Sequence, residues 1–268
     1  MGINTNVIGI NYFIFDGKSS LDFGVYIGGQ GTYNAPQRDV SKISIPGRNG
    51  DLIQDKKRFR NIPVSYPIVV MDEFKDKTDA IRQWLMKPTA YTVLEDSYHL
   101  NEYRLGICTG GLEFETSAFN KTGKAVATFD CRPERFLKDG DVFYRLENKA
   151  TSTATGFSVD SVLNPTIFES KPVIRIYLKD ANDNYITGTK TVNIGNDTIE
   201  ILDTTISQQV EYIDIDCELM DCYCGIQNCN SAVRIWGDFP TIPADGATII
   251  YSNNLTEMVW VKGRWWMV

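Results

Sequence analysis

Apolar residues recur at every second position along most of the chain, and at helical spacing only once. The opening segment NVIGINYFIF is rich in β-branched and aromatic residues. In SLDFGVYIGG, Leu21, Phe23 and Val25 alternate with Asp22 and Gly24 before Gly28, Gly29 and Gly31 break the pattern. VSKISI places Val40, Ile43 and Ile45 before a glycine-marked turn, and RNIPVSYPIVVM sets Val64, Tyr66 and Ile68 on one face. Pro63 and Pro67 cannot donate to a ladder, so this segment reads as an edge strand or a bulge. TAYTVLED, YRLGICTG, LEFETSAF and GKAVATFDCRPERF continue the period of two. The exception is DEFKDKTDAIRQWLMKP, where Phe74, Lys77, Ile81, Trp84 and Leu85 approximate one helical face. Acidic residues open this segment and Pro88 stops it near Lys87, which predicts a single amphipathic helix across the open face of a sheet.

Composition changes after Asp139. ENKATSTATGFSVDSVLNPT is rich in Ser and Thr and reads as a linker over about 147–166. A second series of short strands follows, from KPVIRIYLKD to TEMVWVKGRWWMV, with no helical segment between them. Ile174, Ile176 and Leu178 form one face, and Ile213, Ile215 and Cys217 another. Regular short strands of this kind predict a β-sandwich. The reading is a mainly β protein of two domains, 1–140 and 141–268, the first with one amphipathic helix.

Charge sharpens that division. The 268 residues hold 27 basic and 34 acidic side chains, and 43% of the residues are hydrophobic. Residues 1–140 carry 18 basic and 17 acidic groups, whereas residues 141–268 carry 9 and 17. A second half with a net charge of −8 is a poor partner for a phosphate backbone. The first half has one basic cluster, Lys56, Lys57, Arg58 and Arg60, which suits a solvated hairpin or a subunit contact better than a nucleic-acid site. No run of about 18 uncharged apolar residues occurs, so no membrane anchor is expected. The N-terminus lacks the basic start and apolar core of a secretory signal, and Asn6 departs from the myristoylation pattern.

Candidate chemistry is sparse. SKISIPGRNGDL invites a phosphate-loop reading, but no helix follows to supply a dipole. It lacks the Arg-Gly-Asp order as well, and Asn49-Gly50 points to a hairpin tip. Four of six cysteines crowd into CELMDCYCGIQNC, with spacing unlike that of a zinc site. Buried free thiols are the expectation, ahead of zinc or a disulfide. His99 is the lone histidine. Asp214 and Asp216 share a strand face and fit a solvated surface better than a carboxylate pair. No G-x-S-x-G elbow, P-loop lysine or H-E-x-x-H motif is present, so no enzyme and no cofactor is expected.

Several segments, taken in order, resemble the distal tail protein (Dit) family of siphophages of Gram-positive bacteria. They are DFGVYIGG, YNAPQRDVSKISIPGRNGDLIQDKKRFRNIPVSY, FDCRPERF, NPT with SKPVIRIY, YIDIDCELMDCY, FPTIPADGATIIY and GRWWMV. The resemblance covers nearly the whole chain. It implies an N-terminal β-sandwich-like ring domain and a C-terminal galectin-like β-sandwich projecting outward. It also implies a homo-hexameric ring at the virion tail tip, assembled in the bacterial host cytoplasm. The partners it implies are the major tail tube protein, the tail-associated hub protein (Tal) and, in some phages, a receptor-binding protein. On this reading Arg48, Asp51, Lys57, Arg58 and Arg60 lie near a ring contact, and Trp265 and Trp266 anchor the C-terminus. Gly263 stands where relatives often carry proline, a change expected to loosen the final turn. Two rival functions are a carbohydrate-binding module, with Trp236 as a stacking residue, and a cell-wall hydrolase.

Overall fold

The structure, a computed structural model, describes residues 9–28, 31–71, 73–117, 121–147, 150–152, 156–180, 182–202 and 210–268. The first residues of the opening segment, Gly29, Gln30, Asp72, part of the linker segment and the end of TIEILD lie outside them. The chain divides into two compact units, Met1–Arg135 with Val268, and Phe136–Met267.

The first unit contains β1 (Phe13–Phe15), β2 (Lys18–Ser19), β3 (Val25–Ile27), β4 (Arg38–Ile43), β5 (Leu52–Phe59) and β6 (Ile62–Val70). After α1 (Phe74–Met86) come β7 (Thr92–Asp96), β8 (Glu102–Cys108), β9 (Glu115–Thr116) and β10 (Gly123–Leu137), which runs across the division. The main sheet has the order β2-β1-β7-β8-β10-β6-β3, with β9 also paired to β10. Alternation works as the sequence suggests: β6 buries Ile62, Val64, Tyr66, Ile68 and Val70 and turns Pro63 and Pro67 outward. Pro67 faces Val126 of β10, while its carbonyl accepts Gly28 N–H from the other side. The missing N–H of Pro67 therefore faces away from β10. β3 covers only Ile68–Val70, so the first half of β6 is an edge there.

One helix covers this sheet. Phe74, Thr78, Ile81, Trp84 and Leu85 are buried, so Thr78 takes the position that periodicity gave to Lys77. The Thr78 hydroxyl donates to the Phe74 carbonyl, which lets a polar residue sit inward. Trp84 donates its indole N–H to the Phe15 carbonyl at 2.9 Å and stacks on Phe13 and Phe23. Tyr66 and Phe129 complete an aromatic core.

The second unit begins with β11 (Tyr144–Arg145), β12 (Ala150–Ser152), β13 (Phe157–Val162), β14 (Val173–Tyr177), β15 (Lys190–Ile194), β16 (Asp197–Ile201) and β17 (Tyr212–Asp216). It ends with β18 (Asp221–Cys224), β19 (Gln227–Asn228), β20 (Val233–Trp236), β21 (Ala247–Ser252), β22 (Val259–Lys262) and β23 (Trp266–Met267). Two six-stranded sheets, β11-β22-β14-β17-β18-β19 and β12-β13-β21-β15-β16-β20, enclose one aliphatic core. Ile174, Ile176, Ile213, Ile215, Val259 and Val261 face Val192, Ile194, Ile199, Ile201, Ile249 and Tyr251 across it. The segment 147–166 is not only a linker. β12 and β13 occupy part of it, and β13 is a full ladder partner of β21. Its inward positions are Ser158, Asp160 and Val162, so two of three buried side chains are polar.

Candidate functional site

The two strands β4 and β5 form a sheet of their own, an arm separate from the main sheet. Ile43 pairs with Leu52, which leaves Ser44–Asp51 as an eight-residue tip by sequence. The tight turn within it is not at Asn49-Gly50. Arg48 N–H donates to the Ile45 carbonyl at 3.1 Å, with Pro46 between them and Gly47 at φ 79°. Pro presets the first central position and Gly supplies the left-handed second one, so this is a type II turn. Arg48 and Asp51 are both exposed at the tip. Ile43, Ile45, Leu52 and Ile53 are also exposed, an apolar patch between charged ends.

At the base of the arm the ladder slips. Arg38 pairs with Phe59 and Val40 with Asp55, so Lys56, Lys57 and Arg58 together face Asp39. Lys57 takes the left-handed conformation, φ 56°, and its N–H donates to Asp55 at 2.8 Å. This bulge turns Lys56 and Arg58 onto one carboxylate, where Arg60 joins them. The N–O separations are 3.4, 2.8 and 3.0 Å. The Asp39 side chain is only 2% exposed, while those of Arg58 and Arg60 are 71% and 55% exposed. Arg60 and Arg58 hold the Asp39 carboxyl down at about 2, with Lys56 assisting and burial opposing. Three cations against one anion leave surplus positive charge on an exposed surface. Arg38 pairs with Asp55 at 2.9 Å and lies over the Phe59 ring. Of the predicted contact residues, Arg58 and Arg60 are thus brought together. Lys57 stands beside them on the bulge, and Arg48 and Asp51 lie at the far end. Asp39, the group that organises the cluster, was missed. Its signal was a single acid in the otherwise basic pattern of QRDVSK and KKRFR.

Trp265 and Trp266 are held within the second unit. Trp265 is 5% exposed and belongs to the aliphatic core. Trp266 faces elsewhere, stacking on Phe168 at 4.3 Å and donating its indole N–H to the Glu169 carbonyl at 2.9 Å. Arg264 binds both oxygens of Asp216, at 2.7 and 2.6 Å, and its N–H donates to Gly140. Burial pushes the Asp216 carboxyl up, but Arg264 and the Leu219 and Glu218 N–H groups outweigh it and leave it below its ordinary value. Gly263 sits directly against the Trp265 ring. A Cβ there would lie 2.1 Å from the Trp265 ring, so the glycine makes room for the buried indole.

The remaining candidates match their sequence readings in part. Cys224 and Cys229 form a disulfide, whereas Cys108, Cys131, Cys217 and Cys222 are free and buried. Burial raises the Cys108 thiol to about 11 and those of Cys131, Cys217 and Cys222 to about 12, which makes them poor nucleophiles. Among the described residues no group of three or more potential ligands can hold a metal ion. Asp214 lies on the outward side of β17, as alternation predicts, but both acids are held by arginines: Arg175 grips Asp214 at 2.6 and 2.7 Å, as Arg264 grips Asp216. Trp236 is exposed on β20, with Arg234 over its ring and its N–H donated to Glu200. His99 joins Tyr66, Asp96, Glu102, Arg104 and Arg135 around a cavity of about 10 Å³, room for a water and not for a substrate.

No family model and no curated protein matches the chain. A comparison with solved structures does. The crystal structure of SPP1 Dit (gp 19.1), described as a paradigm of the hub adsorption apparatus in phages infecting Gram-positive bacteria, superposes with a TM-score of 0.68 at 11% identity. The alignment covers 96% of this chain and 99% of that one. The fold is that of a phage distal tail protein. Two structures of the phage P2 baseplate in its activated conformation, with Ca and with Sr, align with TM-scores of 0.48 and 0.47 at 12% identity. Both cover 91% of this chain, and 98% and 99% of theirs. The match to SPP1 Dit spans nearly the whole chain and so takes in both units.

Proposed function

We propose that this chain is a structural protein of a phage tail tip, forming a hexameric ring that joins the tail tube to the hub and adsorption apparatus. The observation that carries the reading is the end-to-end match to SPP1 Dit, which leaves almost no part of either chain unpaired. Features of this chain support it. The arm exposes Ile43, Ile45, Leu52 and Ile53 beside a surplus of positive charge, a surface suited to an acidic and apolar neighbour. A ring contact is heterologous, so the arm of one copy meets a different surface of the next. Arg48, Asp51, Lys57, Arg58 and Arg60 lie at that contact on this reading, and residues 1–140 close the ring. The strongly acidic second half then faces outward, where six copies repel least. Its partners are the major tail tube protein, the tail-associated hub protein and a receptor-binding protein, and its role is not enzymatic.

Mass photometry of the full-length protein over a concentration series tests this. A species of six times the 30.2 kDa chain is expected. Arg58→Ala and Arg48→Ala should shift the assembly toward monomer while the melting temperature stays in place. A protein that stays monomeric at high concentration and in the presence of its cognate hub protein would refute the ring.

A further inference from the structure

The outer face of one sheet in the second unit carries a row of aromatic and charged side chains. Arg145, Trp260, Arg175, Asp214 and Tyr223 are successive cross-strand partners on β11, β22, β14, β17 and β18. Beside them Tyr177 pairs with Tyr212. These positions alternate with the Ile and Val residues of the core, so the whole row points outward. Two clefts open on this face. One, of about 400 Å³, is walled by Tyr177 and Trp260, whose ring centroids are 5.9 Å apart and tilted by 59°. The other, of about 320 Å³, adjoins Arg175 and Tyr223. Arg175 is clasped between the Phe143 and Tyr212 rings, at 4.3 and 4.0 Å, and this fixes the ridge between the clefts.

We propose that this face binds a neutral oligosaccharide, with Tyr177 and Trp260 as the stacking walls. The walls offer apolar ring surface to the C–H face of a sugar. The rim offers both hydrogen-bonding senses without net positive charge. Arg145 pairs with Glu257 at 3.3 Å and Lys179 with Asp183 at 2.8 Å, so each pair presents donors and acceptors in fixed positions. The Glu211 carboxylate also lines the cleft and has no ion pair among the described residues, leaving it to accept from hydroxyls. Asp180 is already engaged by the N–H groups of Asn182 and Asn184 and serves the loop. The excess of carboxylates, and the −8 of residues 141–268, disfavour phosphate-bearing or sulfated polymers. The volume suits one or two sugar rings, and the second cleft extends the track along the sheet. This site lies on the sheet opposite to Trp236, the stacking residue that sequence alone suggested.

The test is a glycan array carrying neutral oligosaccharides beside phosphorylated and sulfated ones, probed with the full-length protein. Hits are then titrated by tryptophan fluorescence. Neutral glycans should bind and shift the emission. Tyr177→Ala and Trp260→Phe should weaken them roughly tenfold and a few-fold, the losses expected for truncating or trimming an aromatic wall. Glu211→Gln should weaken them less, and Trp236→Ala not at all. Near-UV circular dichroism confirms that each variant is folded, so failure to fold is not read as loss of binding. Signals confined to anionic glycans, an array without neutral hits, or binding that survives Tyr177→Ala and Trp260→Phe in folded protein would overturn the proposal. None of these outcomes depends on ring formation.

Discussion

The two units bury their apolar residues in different ways. In the first, a sheet is covered by one helix, and the space between them is filled by rings: Phe13, Phe15, Tyr66, Trp84 and Phe129 contact one another at 4.9 to 6.4 Å between centroids. In the second, two sheets face each other and branched aliphatic residues interdigitate. A helix of thirteen residues touches a wide sheet along one stripe, so large side chains must reach out from it. Two sheets approach along their whole width, and Ile and Val suffice. The first core therefore concentrates its energy in a few residues, and the second spreads it over many.

The largest test of that contrast is Phe129→Ala, which removes a ring in contact with Phe13, Phe15 and Tyr66. It should cost about 3–5 kcal/mol. Calorimetry should show one transition falling and a second, from the sandwich, staying in place. Equal shifts of both would mean that the two cores melt as one. A smaller effect is expected from Ile215→Val, which trims a single methylene from the distributed core. The cost should be about 1 kcal/mol, confined to the transition that Phe129→Ala leaves untouched. The smallest effect belongs to neither core. Asp39 has its carboxyl held at about 2 against an ordinary 3.8, so it favours the folded arm above the ordinary value. That support fades as pH falls from the ordinary value through about 2. Carboxyl NMR should show a midpoint near 2, with arm amide shifts following it and both core transitions unmoved. A midpoint near 4 would show that the three cations do not hold Asp39 in solution.

Legibility followed the same physics. The strands of the sandwich core were readable because Ile174, Ile176, Ile213 and Ile215 obey a strict period of two. The helix was readable from Ile81, Trp84 and Leu85 and from Pro88, but Thr78 was not, because its inward position depends on a backbone hydrogen bond. β13 was hidden for a related reason. Ser158 and Asp160 point inward, and the Ser158 hydroxyl is satisfied by Asn253, nearly a hundred residues away. Periodicity registers apolarity and is blind to a polar side chain whose partner is remote in sequence. The basic cluster of the arm was visible, yet its geometry rests on a bulge at Lys57 that follows from no local rule for lysine. The Cys224–Cys229 bond was open because its five-residue separation fits a tight loop as well as two free thiols. The outer face of the sandwich was legible only as alternation. Which strands lie side by side, and so which aromatic and charged residues form a row, is a property of the sheet order.

Gly263 and Trp265 form a lock with two parts. The indole occupies the volume that any side chain at 263 would need, and Gly140 presses on the same tryptophan from its own backbone. A side chain at 263 expels the ring from the core, while loss of the ring leaves a void beneath a glycine that then serves no purpose. In this chain a larger residue at 263 is therefore accommodated only by moving the Trp265 ring, and the closing segment is held as a unit.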